Sequence, residues 1–409
     1  MLSVSNALTR ILEYFEPLDV TSQPINRAAG RALAEDIIAR TDLPLFDNSS
    51  VDGFAVRVSD AARASHTFPQ TLVVVADIQA GSTFNTPLKA GECARIMTGA
   101  ALPPGTQAVV MVEDTDFQVR QPGTPAPANV VVYKPIQPGE NIRQRGDDLH
   151  MGDKVLTSGT RLRAQEIGLL AMLGVAEVPV HRQPKLALLS SGNELLPVDT
   201  PLTPGKIHDA NSAMLAALTE SLGVELLRLG VATDSEVDLR ARLERAVDEK
   251  VDVIVSSAGV SVGAFDYVKS IIESNGELDF WKVDMRPGKP LAFGMYKGIP
   301  FFGLPGNPVS AFIGFMVFVR PALEKLSGQT PRTRPHLKAL LAEAVESDGR
   351  ESYLRAVATE ENGQLMARLT GHQGSGNIFS LVRANALLIV PSGVKSLPAN
   401  SEVEIWFIE

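Results

Sequence analysis

The sequence predicts a multidomain α/β-plus-β protein: a central doubly wound α/β domain, a β-rich region before it and a small β domain after it. Three observations carry this. At 409 residues the chain is longer than one ordinary core organises. Residues 184–326 alternate short apolar strands with segments of helical length, the pattern of a parallel sheet covered on both faces. The flanking regions, 42–180 and 336–409, carry short β-branched or alternating runs broken by Gly and Pro.

The N-terminal stretch repeats Leu8, Ile11, Leu12 and Phe15 at helical spacing, with Glu13 and Glu16 between them, and reads as an amphipathic helix rather than a signal peptide. LVVVADI (72–78), AVVMVED (108–114) and NVVVYK (129–134) read as strands, QPGTPAPA (121–128) as an exposed loop, and RAQEIGLLAML (163–173) as a helix stopped by Gly174. The alternating series then runs strand 185–191, helix 211–223, strand 224–230, helix 235–249, strand 251–257 and helix 265–276. A strand pair around 281–302 and a helix from Pro308 complete it. VSAFIGFMVFV (309–319) is the most apolar run, well short of the about 20 residues of a membrane span, so it reads as a buried helix. SGQTPRTRP (327–335) is a linker by composition, and ALLIVP and VEIWFIE beyond it read as strands.

A net charge of −9 and a pI near 5.3 argue against a broad nucleic-acid or anionic-membrane footprint, so any bound anion needs a local basic pocket. Cys93 is the single cysteine, which excludes an internal disulfide and any multi-cysteine metal site and suggests a reducing, cytoplasmic setting.

Ligands of an open parallel sheet bind beyond the carboxyl ends of its strands. There SSGNEL brings Glu194, VATD brings Asp234, and the loop after VDVIVSS brings Asp266. Singly each reads as a helix cap or solvated acid, Ser235 and Asp238 alone making a plausible capping box; together on one rim they suit Mg²⁺, which takes one or two carboxylates plus phosphate oxygens. The loop SSAGVSVGAFD, with Ser257, Gly259, Ser261 and Gly263, would let backbone N–H groups approach a phosphate, or is a tight strand–helix connection; it matches neither a Walker A loop nor GxGxxG. In GLPGNPVSAF (303–312), Asn307 suits an N-cap, Pro308 the first helical position and Ser310 the first turn, an anion site or a plain capped helix. In DMRPGKP (284–290), prolines restrict the backbone at Arg286 and Lys289, so the two cations make either an oxyanion seat facing that helix start or a solvated surface turn.

These segments, with PLFDNSSVDGFAVR (44–57), ARIMTGAALPPG (94–105), GENIRQRGDD (139–148) and HQGSGNIFS (372–380), resemble in order and spacing the MoeA-type molybdopterin molybdenumtransferases, relatives of the gephyrin catalytic domain. The resemblance spans nearly the whole chain. It implies a segmented N-terminal linking domain (1–51 and 146–180), an inserted β-rich domain (52–145), an α/β molybdopterin-binding domain (181–327) and a C-terminal β domain (328–409). It further implies a homodimer that takes adenylated molybdopterin and molybdate, inserts molybdenum at the dithiolene and releases AMP with Mg²⁺ present. Contact with molybdopterin adenylyltransferase follows as a further implied partner, and neither nucleic acid nor membrane is implied.

By the same resemblance, molybdate would be held by Arg286, Lys289, Pro290 and Ser310, with Arg355 (ESYLRA) and Ser375 (HQGS) closing the pocket. Asp52 and Thr98 would be functional residues contributed across the dimer interface, and Glu194, Asp234 and Asp266 the acids near pterin, diphosphate and metal. The chain departs from the family pattern at Asn193 (often Asp), Ala258 (usually Gly), Ala264 (usually acidic) and Arg286 (often Lys). Two other readings stand beside this one: the preceding adenylyltransferase, which resembles only the middle third, and a non-catalytic scaffold of the gephyrin kind.

Overall fold

The computed structural model describes residues 1–117, 123–257, 264–330 and 337–408, with the main chain alone at 264–267, 269 and 281. The chain forms two compact units. One comprises Met1–Glu35, Ser158–Gly168 and Ala176–Glu409; the other Asp36–Thr157 and Leu169–Val175.

Helix α1 (Val4–Leu12) starts where Ser3 accepts a hydrogen bond from Asn6 N at 3.2 Å, and its buried stripe is Val4, Ala7 and Ile11. Phe15 stays buried past the helix end. The Asp36–Thr157 unit is built on five strands: β1 (Gly53–Val56), β2 (Gln70–Ile78), β3 (Glu92–Ile96), β4 (Ala108–Met111) and β5 (Asn129–Val132). Their order is β4-β1-β3-β2-β5, antiparallel except for β2–β3. Phe54 and Val56 pack on one face of the sheet and Ala55 on the other, so consecutive residues of β1 are all buried. Cys93 lies in the first of these cores, where burial pushes its thiol up to about 12 and leaves it unreactive. Helix α2 (Ala164–Met172) follows.

The larger unit is organised by a six-stranded sheet. Its strands are β6 (Lys185–Ser191), β7 (Glu225–Ala232), β8 (Val253–Ser257), β9 (Gly276–Lys282), β11 (Pro290–Tyr296) and β12 (Ile299–Leu304), with the two-residue β10 (Met285–Arg286) between β9 and β11 in the chain. Helices α3 (Ala210–Ser221), α4 (Glu236–Asp248) and α5 (Ala264–Asn275) connect the early strands. The order β7-β6-β8-β12-β11-β9 is parallel through β12; β11 pairs antiparallel with both β12 and β9, so it alone runs against the rest. The sheet is therefore mixed rather than wholly parallel. Its β11–β12 connection is a tight turn at Lys297–Gly298, both with positive φ, which leaves no room for a crossover helix.

Leu186 and Leu188 of β6 pack toward α1, α3 and the 308–326 helical segment, while Ala187 and Leu189 pack toward α4 and α5. Both faces are covered, which is why the strand reads as an unbroken apolar run. The segment from Pro308 is α6 (Pro308–Gly314), a π-helical turn (Phe315–Val319) and α7 (Arg320–Leu326), buried nearly throughout.

The C-terminal domain has β13 (Leu337–Leu341), β14 (Glu351–Glu361), β15 (Gln364–Leu369), β16 (Ala386–Val390) and β17 (Glu402–Phe407), with a short helix α8 (Ile378–Val382) that the strand pattern did not suggest. The order β14-β15-β13-β17-β16 is closed by β14–β16 pairing. β10 pairs in parallel with β14 (Met285 with Glu351, Arg286 with Ser352), joining the cationic elbow to this domain. Tyr353, Leu387, Ile389 and Trp406 extend the core of the larger unit into it.

Candidate active site

The elbow 284–290 carries the first part of the site. Gly288 adopts φ +108°, a conformation L side chains rarely reach, and a Cβ built there would stand 3.7 Å from Ser310 O, so the elbow lies against the first turn of α6. Arg350 Nη1 donates to Met285 O at 3.0 Å and fixes the elbow from the C-terminal domain. Arg286 is half-buried, Lys289 exposed, and Pro290 opens β11. Neither cation has an ion-pair partner among the described residues.

The second part is the start of α6. Asn307 occupies the N-cap without a capping bond; its Nδ2 donates instead to Ser375 Oγ at 2.9 Å. Val309 N–H donates to Ser375 O at 3.0 Å and Ala311 N–H to Asn307 O at 2.9 Å. The free amides that the sequence suggested here are thus partly bonded already, because the Ser375 loop sits on the helix end. Ser310 is buried beside them.

The third part is Arg355 on β14, a fully buried arginine. Its Nε donates to Ser380 Oγ (3.1 Å) and its Nη2 to Gly374 O (3.0 Å), while Nη1 has no hydrogen-bond partner. Gln373 clamps its backbone, accepting from Arg355 N at 2.9 Å and donating to Arg355 O at 3.0 Å. Burial, and then the neighbouring Arg286, push the guanidinium down to about 10. These contacts join the elbow, the start of α6 and the Arg355–Ser375 region, where Arg286 neighbours both Arg355 and the Asp348 carboxylate that Arg350 holds.

At the strand ends, Asn193 N–H donates to Asp234 Oδ2 (3.3 Å) and Asp234 N–H to Asn193 Oδ1 (3.2 Å). Asp234 Oδ1 is buried with no partner. The Glu194 carboxylate folds over Gly192, within 2.6 Å of where a Cβ would stand, and Gly192 itself has φ +147°. The Asp266 side chain lies outside the described residues, and among those described no three acidic, His or Cys side chains cluster as a metal site. The Ser235–Asp238 capping box does not form: Asp238 instead accepts from Thr233 N (2.8 Å) and Thr233 Oγ1 (3.0 Å). Ser257 ends β8; Gly259, Ser261 and Gly263 lie outside the described residues, as does Ala258.

In the other unit, Thr98 N and Oγ1 both donate to Asp52 Oδ1, each at 2.8 Å. Three polar residues went unassigned in the sequence. Asn211, in α3, donates to Ser257 Oγ and Gly306 O, both at 2.8 Å; Gln373 and Ser380 hold Arg355. Gln373 and Ser380 lie in the HQGSGNIFS motif, which was the available signal; Asn211 looked like an ordinary first-turn residue.

The chain thus combines an α/β domain that carries a cationic elbow with a β-rich region before it and a β domain after it, an architecture shared along its whole length with known proteins. Residues 2–174 match the MoeA N-terminal region (domain I and II), 187–325 a probable molybdopterin binding domain, and 338–408 the MoeA C-terminal region (domain IV). A molybdopterin molybdenumtransferase of Haemophilus influenzae is 37% identical over 99% of this chain and 98% of its own, and one of Bacillus subtilis 34% identical over 100% and 94%. The crystal structure of the molybdopterin biosynthesis moeA protein from Pyrococcus horikoshii OT3 superposes with a TM-score of 0.81 at 31% identity, covering all of both chains. The chain belongs to the MoeA-type molybdopterin molybdenumtransferase family. Matches at both ends of the chain favour this reading over an adenylyltransferase limited to the middle third. No helix among the described residues is long and apolar enough to cross a membrane.

Proposed function

We propose that the chain takes adenylated molybdopterin and molybdate, places molybdenum on the pterin dithiolene and releases AMP. The observation that carries this is Arg355: a fully buried guanidinium beside Arg286, with Nη1 unbonded. A buried cation without a counter-charge opposes folding. A compact dianion would supply both the charge and the missing acceptor. Arg286 and Arg355 would bind molybdate, Lys289 would draw it in from solvent, and Ser310, Ser375 and the rigid Pro290 would shape the seat. These groups are fixed before substrate arrives, so they neutralise developing charge without reorganising.

The orphaned, buried Asp234 Oδ1 fits a hard divalent cation, and Glu194, Asp234 and Asp266 would hold Mg²⁺. When bound, the ion would screen the diphosphate and polarise its phosphorus. Asn193 orients Asp234, and the loop from Ser257 through Gly263 would seat phosphate oxygens. Asp52 and Thr98 would complete the site from a second protomer of a homodimer. The reaction belongs in the cytoplasm, with molybdopterin adenylyltransferase handing over the substrate. The test is AMP release from adenylated molybdopterin with and without molybdate; Asp266→Ala releasing AMP at the wild-type rate would remove that acid from the account.

A further inference from the structure

The sheet order β7-β6-β8 places a topological switch point between β6, whose connection runs to β7 on one side, and β8, which lies on the other. Both strands end in buried hydroxyls, Ser190 and Ser191 on β6 and Ser256 and Ser257 on β8. This polar floor interrupts otherwise apolar strands. Asn211 stands over it in the first turn of the 12-residue α3, whose N-cap Asp209 accepts from Ser212 N at 3.0 Å.

Asn211 is 8% exposed. Its Nδ2 donates to Ser257 Oγ and to Gly306 O, so it ties α3 to the ends of two other segments. A backbone carbonyl only accepts, so Gly306 fixes which end of the amide is nitrogen. Oδ1 then faces away from both partners, buried and without a hydrogen bond. A buried carbonyl left unpaired is costly, which calls for a reason. Unlike Arg286, Lys289 and Arg355, this group is an acceptor and repels oxyanions.

We infer that Asn211 is a specificity-determining residue whose Oδ1 accepts a hydrogen bond from an N–H or O–H of the bound substrate. The inference rests on the function proposed above. Adenylated molybdopterin carries such donors at two places, the amide and amine edge of the pterin and the ribose and adenine of the nucleotide. The site selects for a neutral donor there and disfavours a ligand that presents a carbonyl or phosphate.

Calorimetric titration of the full-length protein with molybdopterin and, separately, with AMP tests this in wild type, Asn211→Ala and Asn211→Asp. Asn211→Ala should lose roughly tenfold in affinity for one of the two ligands and leave the other within about twofold. The ligand affected names the donor: the pterin if molybdopterin, the nucleotide if AMP. Asn211→Asp, which keeps an acceptor oxygen, should recover part of the loss. If Asn211→Ala does not fold, the aspartate variant is compared with Asn211→Ser, and the same contrast is required. Unchanged binding of both ligands would overturn the inference, as would equal weakening of both with no recovery by aspartate. Failure of the wild-type protein to bind either ligand would count instead against the proposed function.

Discussion

Asn193 and Asp234 hold each other across two loops, the main-chain N–H of each donating to a side-chain oxygen of the other at 3.3 and 3.2 Å. The pair pins Asp234 Oδ2 and leaves Oδ1 as its one free oxygen. Asn193→Ala removes the acceptor for Asp234 N–H and should cut both AMP release and Mn²⁺ binding, read by paramagnetic resonance, roughly tenfold. Asn193→Asp keeps the acceptor and should stay within about threefold of wild type. An alanine variant with normal Mn²⁺ binding would show that the clamp does not serve a metal.

Arg355 yields a pH prediction. Burial and Arg286 hold its guanidinium down at about 10, and anion binding needs the protonated form. Molybdate affinity should therefore be constant near neutrality and fall as pH rises toward and through 10. Arg355→Met should abolish molybdate binding and with it the thermal stabilisation by molybdate expected of wild type, about 2.7 kcal/mol at a hundredfold excess over Kd. Retained stabilisation in the methionine variant would place the oxyanion elsewhere.

Lys289 is exposed, so in the proposed seat it would attract molybdate from solvent rather than make a buried contact. Lys289→Ala should raise the KM for molybdate roughly fivefold and flatten its salt dependence, with pterin binding unchanged. Equal losses for both ligands would count against the seat.

Asp52 and Thr98 form a doubly bonded pair through one carboxylate oxygen. If the pair completes the site of a second protomer, Asp52→Ala and Arg355→Met are each inactive alone. Mixing and reassembling them should then restore about a quarter of wild-type activity, because half the dimers carry one intact site. No recovery in verified mixed dimers would place the pair outside the shared site.

The α/β domain was legible because residues such as Leu186–Leu189 are buried on alternating faces and leave an unbroken apolar run. The strand pair around 281–302 was legible too, but not its antiparallel direction, since a run buried on both sides looks the same either way and only Lys297–Gly298 marks the turn. Likewise, the Ser235–Asp238 spacing suggests a capping box, but Thr233 competes with two donors to the Asp238 carboxylate. At the site, Arg286 and Lys289 stood out as a constrained cationic elbow. The isolation of Arg355 is non-local: its partners Gly374 and Ser380 arrive from a later loop and helix, and its strand reads as an ordinary one. Asn211 was hidden for the same reason, because Ser257 and Gly306 are distant in sequence.

In the proposed reaction the cationic seat couples molybdate to release of the adenylate. A single-turnover experiment on adenylated molybdopterin, with AMP and pterin-bound molybdenum quantified together, tests it most directly. One AMP should be released per molybdenum inserted, only with molybdate present, and this should be lost in Arg355→Met while adenylated molybdopterin remains bound. AMP release at the same rate without molybdate, or an Arg355→Met variant that inserts molybdenum normally, would contradict it.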